Sequence, residues 1–476
     1  METKKGGIRN IIYTKTLKTF FIYYRYRRKY PKKTLRRLRK IMKLKGKTKK
    51  INIAVLSEEP LGWGSGKHYF PVILNGYTWN TNGVSYIFST TYIYDKDIIQ
   101  GRLNVSKFQV LLVPGGGVGD GEAVMKGFIL CRKNRKWKKQ IQKFIEDGGG
   151  YVGICGGTAL ATSLDTGPNK KPTSFLERQY DKSAIGITCV KSYYENLAVP
   201  MFYPFQWNHP EKIGATGYIF SFAPGETIDG KRIHTGGVPV DFKIYKDNPI
   251  FSDYPDETIR MRWWGGPGLV VPEKTDRDVK ILARYPKDDF SKNHLTQIYA
   301  WRYTGGVSGL IKAFLNASSI VKKEKENLKQ IPIYTYYLAK PWEPTSKRIE
   351  LNFSNKPCMT AEVYPNKNQG RILLCTAHPE YMIWWNGHIE EVKHTKNNCL
   401  AYGLHKWKNI SKLSKNVEKE LTHTWWVVRR ITAWAAKVPD EHLPPISKEE
   451  INKKTIPIIK HNIFWDGTLL NQMKNI

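Results

Sequence analysis

The sequence has few of the features that mark metal-binding, disulfide-rich or membrane-spanning proteins. Its 476 residues include six cysteines, scattered without a close metal-type pair or a zinc-like Cys/His spacing. No stretch approaches the roughly 18 consecutive apolar residues that a spanning helix needs. We therefore expect no metal site, no organic cofactor and no disulfide framework.

Acidic residues are almost absent from the first part of the chain. Residues 1–50 contain 20 Lys and Arg but only one acid, Glu2, which gives this segment +19 of the total net charge of +36. We interpret residues 1–50 as a basic tail, attracted to phosphate on an anionic membrane surface or on nucleic acid. A solvated tail without a dedicated partner is the alternative. Since the N-terminus lacks a signal-peptide pattern, we expect a cytoplasmic protein, with peripheral membrane association left open.

Short apolar runs alternate with amphipathic segments after the tail. Ile51–Leu56, Phe108–Val113 and Tyr151–Ile154 are strand candidates, and residues 134–147 form a candidate helix. Continuously apolar strands that alternate with helices indicate a parallel sheet covered on both faces. The predicted fold class is α/β, a flavodoxin-like open parallel sheet with helices on both faces, with a largely β insertion and C-terminal helices.

The domain organisation follows from where this pattern holds. Residues 51–275 carry the α/β pattern, and 276–368 read as a β-rich insertion. Residues 369–385 return to the α/β domain and bring a His-Pro-Glu segment. Residues 386–476 are predicted to be a C-terminal extension, with a helix over 411–438.

A cysteine between glycines is the strongest chemical signal. Gly153, Cys155 and Gly157 lie where a strand ends and a small-residue helix begins, as in a nucleophile elbow. The helix dipole favours thiolate over thiol, and the N–H of Gly156 would face a developing oxyanion. The alternative is a buried cysteine in a glycine-rich turn.

Two further segments are placed to complete such a site. Gly115, Gly116 and Gly117 follow a strand and Pro114, so the N–H of Gly116 would complete the oxyanion hole and Gly117 would line the substrate site. Tight packing is the alternative, and a phosphate-binding loop is weaker because no Gly-Lys-Ser/Thr follows. His378 is a candidate base for the thiol, and Glu380 is its candidate orienting group. A loop histidine without a catalytic role is the alternative.

The order of these three segments resembles that of class I glutamine amidotransferase domains. A strand followed by Pro-Gly-Gly comes first, then the Gly-x-Cys-x-Gly elbow, and then a distant His-Pro-Glu. The resemblance covers residues 51–275 and 370–385. It implies a Cys155–His378–Glu380 triad acting on an amide or related acyl bond, with any ammonia acceptor on a separate subunit.

The segment Trp263–Gly268 looks like the aromatic-Gly-Gly-Pro segment of the group related to the N-terminal domain of biotin-protein ligases. This resemblance suggests that residues of the segment bind the substrate. We add Arg262 as an anion-binding residue and Glu58 at the same sheet edge. The candidate substrate-binding residues are Glu58, Gly117, Arg262, Trp264, Gly265 and Gly266. The rival to the enzyme is a non-catalytic protein of the same fold that binds a small molecule. A nucleic-acid-associated protein is a third interpretation, which rests on the tail alone.

Overall fold

A computed structural model describes most of the region between residues 48 and 446. The described residues are 48–57, 70–71, 73–115, 131–165, 184–193, 220–221, 227–228, 231–232, 238–263, 266–288, 298–303, 342–348, 353–380 and 416–446. Among them, no helix is long and apolar enough to cross a membrane.

The described strands are, in chain order, β1 Thr48–Leu56, β2 Thr78–Thr81, β3 Val84–Ile93, β4 Val110–Val113, β5 Gly150–Ile154, β6 Ser163–Asp165, β7 Lys191–Tyr193, β8 Phe220–Ser221, β9 Thr227–Ile228, β10 Lys231–Arg232, β11 Val238–Ile244, β12 Thr258–Trp263, β13 Leu269–Val270, β14 Asp278–Arg284, β15 Ile298–Tyr303, β16 Trp342–Arg348, β17 Pro357–Val363 and β18 Arg371–Cys375. The described helices are α1 Asp95–Ile99, α2 Cys131–Glu146, α3 Gly156–Ala161 and α4 Asn416–Ala435, with a 3-10 turn at Asp440–His442.

The chain divides into two compact units. The smaller unit comprises residues 1–50 and Thr78–Ile87, where β2 pairs antiparallel with the first part of β3 and Trp79 stacks on Tyr86. The larger unit comprises Ile51–Tyr77 and Phe88–Ile476. Its main sheet has the strand order β12-β11-β14-β17-β18-β5-β4-β1-β3.

Four adjacent strands at the centre of this sheet run parallel: β18 pairs with β5, β5 with β4, and β4 with β1. The strands β17, β14, β11 and β12 extend the sheet with antiparallel pairings. The central strands are apolar and buried, since β4 is Val-Leu-Leu-Val and every residue of β5 is buried. The prediction of an open α/β sheet is confirmed by this strand order.

Helices cover both faces of the central strands. On one face, Trp137, Ile141 and Phe144 of α2 share a buried cluster with Leu111 and Tyr151. On the other face α4 contacts β4, β5 and β18, and a Cβ added to Gly150 would lie 2.2 Å from the carbonyl oxygen of Ala435. Successive strand residues point to opposite faces, so Tyr151 lies on the face covered by α2 and Gly150 on the face covered by α4.

Several predicted elements are confirmed with shifted ends. The helix expected over 134–147 is Cys131–Glu146, and the helix expected over 411–438 is Asn416–Ala435. The first strand begins at Thr48, so residues 48–50 belong to β1 and not to a tail. Residues 1–47 of the predicted tail lie outside the described residues.

The region predicted as a separate β-rich insertion, 276–368, supplies strands to the main sheet. Within it, β14 pairs with both β11 and β17. Strand β17 pairs with β18, and this confirms the hairpin that the turn residues at 366–370 predict. Hydrogen bonding of β14 and β17 to their neighbours joins this part of the chain to the α/β sheet. Strands β15 and β16 form a different sheet with β8. The division into domains stays a prediction.

Candidate active site

Three neighbouring parallel strands deliver the candidate residues to one edge of the sheet. Gly115 follows β4 after one intervening residue, Cys155 follows β5 directly, and His378 lies three residues after β18. The carboxyl ends of parallel strands meet at the same edge, where ligands bind in open α/β sheets. The Cys155 N–H donates to the carbonyl oxygen of Cys375 at 2.7 Å, which joins two of these strand ends.

Cys155 occupies a sharp turn with an unusual backbone conformation. Its φ is 47° and its ψ is −105°, outside the regions that a side chain normally permits. Helix α3 starts at the next residue, and a Cβ on Gly157 would lie 2.2 Å from the carbonyl oxygen of Val113. The predicted strand–turn–helix around Cys155 is therefore confirmed. A strained conformation of this kind costs about 1–3 kcal/mol and tends to occur at functional sites.

The imidazole of His378 lies between a carboxylate and a thiol. Its Nδ1 is 2.7 Å from Oε1 of Glu380, and its ring also forms a side-chain hydrogen bond with Cys155. Because Nδ1 is engaged with Glu380, Nε2 is the nitrogen left for the sulfur. All three side chains are buried, at 5%, 3% and 0% exposure for Cys155, His378 and Glu380.

Gly115 shows how closely the thiol and the imidazole approach each other. A Cβ at this residue would lie 2.6 Å from Cε1 of His378 and 2.8 Å from Cβ of Cys155. Cε1 of His378 and Cβ of Cys155 are therefore separated by no more than the sum of these two distances. Gly115 leaves the space in which Cys155 and His378 meet.

The electrostatics of this arrangement favour a charged imidazole. Burial by itself lowers the pKa of His378, but attraction to Cys155 and Glu380 and hydrogen bonds to both outweigh it and raise the pKa to about 10. An imidazolium next to a sulfur stabilises thiolate, which is the nucleophilic form of cysteine. The geometry is thus suited to nucleophilic attack followed by proton transfer.

Backbone contacts hold the His-Pro-Glu segment at both ends. The N–H of His378 donates to the carbonyl oxygen of Arg262 at 2.8 Å, and the two residues form an isolated antiparallel bridge. At the other end, the indole N–H of Trp425 on α4 donates to the carbonyl oxygen of Glu380 at 3.2 Å. The second carboxylate oxygen of Glu380, Oε2, has no hydrogen-bond partner among the described residues.

The remaining predicted site residues are only partly covered by the structure. Gly156 is the first residue of α3, next to Cys155, and it is buried. Arg262 and Gly266 both lie against the segment that carries His378, and a Cβ on Gly266 would meet the carbonyl oxygen of Thr376 at 1.9 Å. The others lie outside the described residues: Glu58, Gly116, Gly117, Trp264 and Gly265.

Some residues at the site were not predicted from the sequence. The hydroxyl of Thr158 lies 2.9 Å from the carbonyl oxygens of both Gly153 and Cys375, and it accepts the N–H of Cys375 at 3.1 Å. It therefore ties the Cys155 turn to the strand that leads to His378. Gly115 could have been singled out from its place in the glycine run, whereas no local pattern marks Thr158 or Trp425.

The cysteines and acids near the site do not form a metal centre. Across the part of the chain that the structure describes, no group of three or more His, Cys, Asp or Glu side chains could hold a metal ion. Cys358 and Cys375 are buried, and burial raises the pKa of both thiols. Both are therefore poor nucleophiles.

Comparison with known proteins gives a local sequence similarity. No family model matches the chain. A stretch of 77 residues, 16% of this chain, is 27% identical to phosphoribosylformylglycinamidine synthase subunit PurQ of Picrophilus torridus. The match spans about a third of that relative, 31% of its length.

Two solved structures align with longer parts of the chain than PurQ does. A glutamine amidotransferase from Thermotoga maritima aligns with 89% of this chain and 97% of its own, at 10% identity and a TM-score of 0.27. A putative GMP synthase subunit from Thermoplasma acidophilum aligns with 49% of this chain and 73% of its own, at 10% identity and a TM-score of 0.22. With scores this low, the fold assignment rests on the strand order of the protein itself.

Proposed function

We propose that the protein is a cysteine-nucleophile hydrolase or amidotransferase-like enzyme acting on an amide or related acyl bond. The observation that carries the proposal is the placement of the His378 ring between Glu380, at 2.7 Å, and Cys155. A nucleophile, a base and a group that orients the base are what acyl transfer through a covalent intermediate requires. The local similarity to PurQ supports the same class of chemistry.

The reaction follows from these roles. The Cys155 sulfur attacks the carbonyl carbon, and the N–H groups of Gly156 and Gly116 stabilise the resulting oxyanion. The C–N bond then breaks while His378 gives its proton to the departing amine, which leaves a thioester on Cys155. His378 next takes a proton from water, and the resulting hydroxide attacks the thioester carbonyl carbon. The C–S bond then breaks, which releases the acid and restores the free Cys155 sulfur beside the protonated His378. Glu380 orients the imidazole and stabilises its charged form.

The substrate is left at the level of an amide or acyl compound. The residues after the elbow, Gly157, Thr158 and Ala159, are all buried, and the Thr158 hydroxyl is engaged with Gly153 and Cys375. These three described residues offer no free side-chain polar group for recognising a glutamine side chain. The closer resemblance, to the group related to the biotin-protein ligase N-terminal domain, remains part of the proposal, with Arg262, Trp264, Gly265 and Gly266 as substrate-binding residues and Glu58 and Gly117 beside them.

Partners and location belong to the same proposal. The name of the PurQ relative calls it a subunit, which supports a separate ammonia-accepting subunit for this chain as well. We keep the basic tail as residues 1–47, since 48–50 belong to β1. In a cytoplasmic protein this tail would contact an anionic membrane surface or nucleic acid, because it holds 18 basic residues and one acid.

Thiol labelling tests the proposal without knowledge of the substrate. Full-length protein is treated briefly with limiting iodoacetamide near neutral pH, and the labelled peptides are mapped. Cys189 is the reference, since it is only partly buried and exposure alone would favour its modification over that of Cys155. We expect Cys155 to label first, because the His378 ring beside its sulfur can act as the base that activates a cysteine nucleophile.

Activity is then measured as ammonia release from a panel of primary amides that includes glutamine. Cys155→Ala should abolish any activity found, while Cys189→Ala should leave it unchanged. Slow labelling of Cys155 relative to Cys189 would overturn the enzyme proposal. Fast labelling without turnover of any amide would favour the non-catalytic binding protein of the same fold.

A further inference from the structure

We propose that α4, the helix Asn416–Ala435, is part of the active site, and that its Trp425 is a positioning residue for Glu380. This inference rests on the proposed function, because it concerns how the candidate triad is held. The helix lies outside the segments that carry the family resemblance. It is nevertheless packed directly on the strands that deliver Cys155 and His378, since it contacts β4, β5 and β18.

The contact itself is a hydrogen bond within the core. The indole Nε1–H of Trp425 donates to the carbonyl oxygen of Glu380 at 3.2 Å, and Trp425 is 1% exposed. Water cannot easily replace a partner at such a buried position. The bond therefore fixes the backbone of Glu380 relative to α4.

Glu380 needs this anchor because few contacts hold its carboxylate. Oε1 is engaged with His378, but Oε2 is buried and has no hydrogen-bond partner in the described part of the chain. A carboxylate with one oxygen unbound takes its orientation largely from its own backbone. On the other side of Pro379, the N–H of His378 is bound to the carbonyl oxygen of Arg262. The His-Pro-Glu segment is thus clamped between β12 and α4.

The helix is a firm support for this clamp. Val427, Val428 and Ile431 are fully buried, and the carbonyl oxygen of Ala435 lies against Gly150 at the start of β5. A shift of α4 towards β5 would press on the backbone of Gly150, in the strand that immediately precedes Cys155. Trp425 therefore links the position of Glu380 to the same strand that positions the nucleophile.

The chain offers a matched control for testing this role. Trp426, the next residue, is also buried, and its indole N–H donates to the carbonyl oxygen of Pro444 at 2.9 Å, away from the triad. Trp425→Phe and Trp426→Phe each remove one buried N–H donor from the same helix while keeping an aromatic ring. Their effects on stability should be similar, but their effects on Cys155 should differ.

We expect Trp425→Phe to slow the labelling of Cys155 by iodoacetamide about tenfold at neutral pH, because small displacements of catalytic groups have large effects on rate. Trp426→Phe should label at the wild-type rate. Where an amide substrate is found, Trp425→Phe should lower kcat with little change in KM. In the Glu380→Gln background, Trp425→Phe should have no further effect, because its influence passes through the carboxylate.

The outcomes separate this inference from the proposed function. If wild-type Cys155 reacts no faster than Cys189, the proposed function is wrong and this inference falls with it. If wild-type Cys155 reacts fast but the two Phe variants label alike, the triad stands and the role of Trp425 is refuted. Should Trp425→Phe not fold, Trp425→His keeps a ring N–H and should label near the wild-type rate. Slow labelling of a cooperatively folded Trp425→His protein would also refute the role.

Discussion

Gly115 offers the sharpest single test of the site, because a methyl group there would occupy the space between nucleophile and base. In Gly115→Ala the new carbon would lie 2.6 Å from Cε1 of His378 and 2.8 Å from Cβ of Cys155. Non-bonded carbons pack at about 3.5–4.0 Å, so each neighbour would have to retreat by roughly 1 Å. The φ of Gly115 lies outside the left-handed region, so alanine introduces crowding without backbone strain.

The crowding should have a moderate effect on stability and a large effect on reaction rate. Overpacking of a buried site costs about 1–3 kcal/mol of stability, a loss that many folds tolerate. A displacement of about 1 Å between reacting groups can cost on the order of 100-fold in rate. We therefore expect Gly115→Ala to remain folded, to melt at a moderately lower temperature, and to label at Cys155 far more slowly than the wild type.

The control is a second crowded glycine away from the site. A Cβ on Gly149 would lie 2.4 Å from Cε1 of Phe144, just before β5, at the opposite end of that strand from Cys155. Gly149→Ala should lower the melting temperature by crowding yet leave the labelling rate of Cys155 unchanged. If Gly115→Ala is folded and labels Cys155 as fast as Gly149→Ala does, the proposed meeting of Cys155 and His378 is refuted.

Three further predictions concern stability, charge and the tail. Thr158→Val removes the hydroxyl that accepts the buried Cys375 N–H and should cost about 1–3 kcal/mol in urea unfolding. The loss should exceed that of Thr432→Val, whose hydroxyl bonds within its own helix; equal losses would contradict this. In nitrogen NMR, His378 should stay protonated at pH 8 and have a lower pKa in Cys155→Ser, because the attraction to Cys155 that helps to raise this pKa is then removed; an unchanged titration would count against it. Removing residues 1–44 should leave cooperative unfolding intact and weaken salt-sensitive binding to acidic liposomes or RNA; loss of the unfolding transition would show that the tail belongs to the core.

The helices and strands that could be predicted from the sequence are those whose hydrophobic pattern matches their burial in the fold. Strands β4 and β5 are continuously apolar and end immediately before Pro114 and Cys155, so their pairing in a buried parallel sheet follows from composition. The amphipathic helix α2 was predicted to within a few residues for the same reason. Its apolar side chains recur at helical spacing and all face one cluster.

The region 276–368, which supplies β14 and β17, was predicted to be β-rich but was assigned to a separate insertion. The sequence shows that this region is extended, and the turn at 366–370 predicts the hairpin of β17 with β18. It does not show which strands β14 pairs with. Pairing of β14 with β11 and with β17 is decided by contacts between residues far apart in the chain. Propensity and periodicity carry no information about such contacts, so the extension of the main sheet could not be foreseen.

The candidate site divides in the same way. Cys155, His378 and Glu380 could be proposed as site residues because the carboxyl ends of parallel strands lie at one sheet edge. This brings their side chains together independently of the loop conformations. Trp425 could not, because a helical stripe of apolar residues predicts burial and says nothing about which carbonyl oxygen an indole N–H will meet. What distinguishes Trp425 from its buried neighbour Trp426 is the partner at its nitrogen, Glu380 in one case and Pro444 in the other. The part of the site that depends on the C-terminal helix therefore becomes visible only once the fold is known, and the pair of Phe variants isolates that difference by experiment.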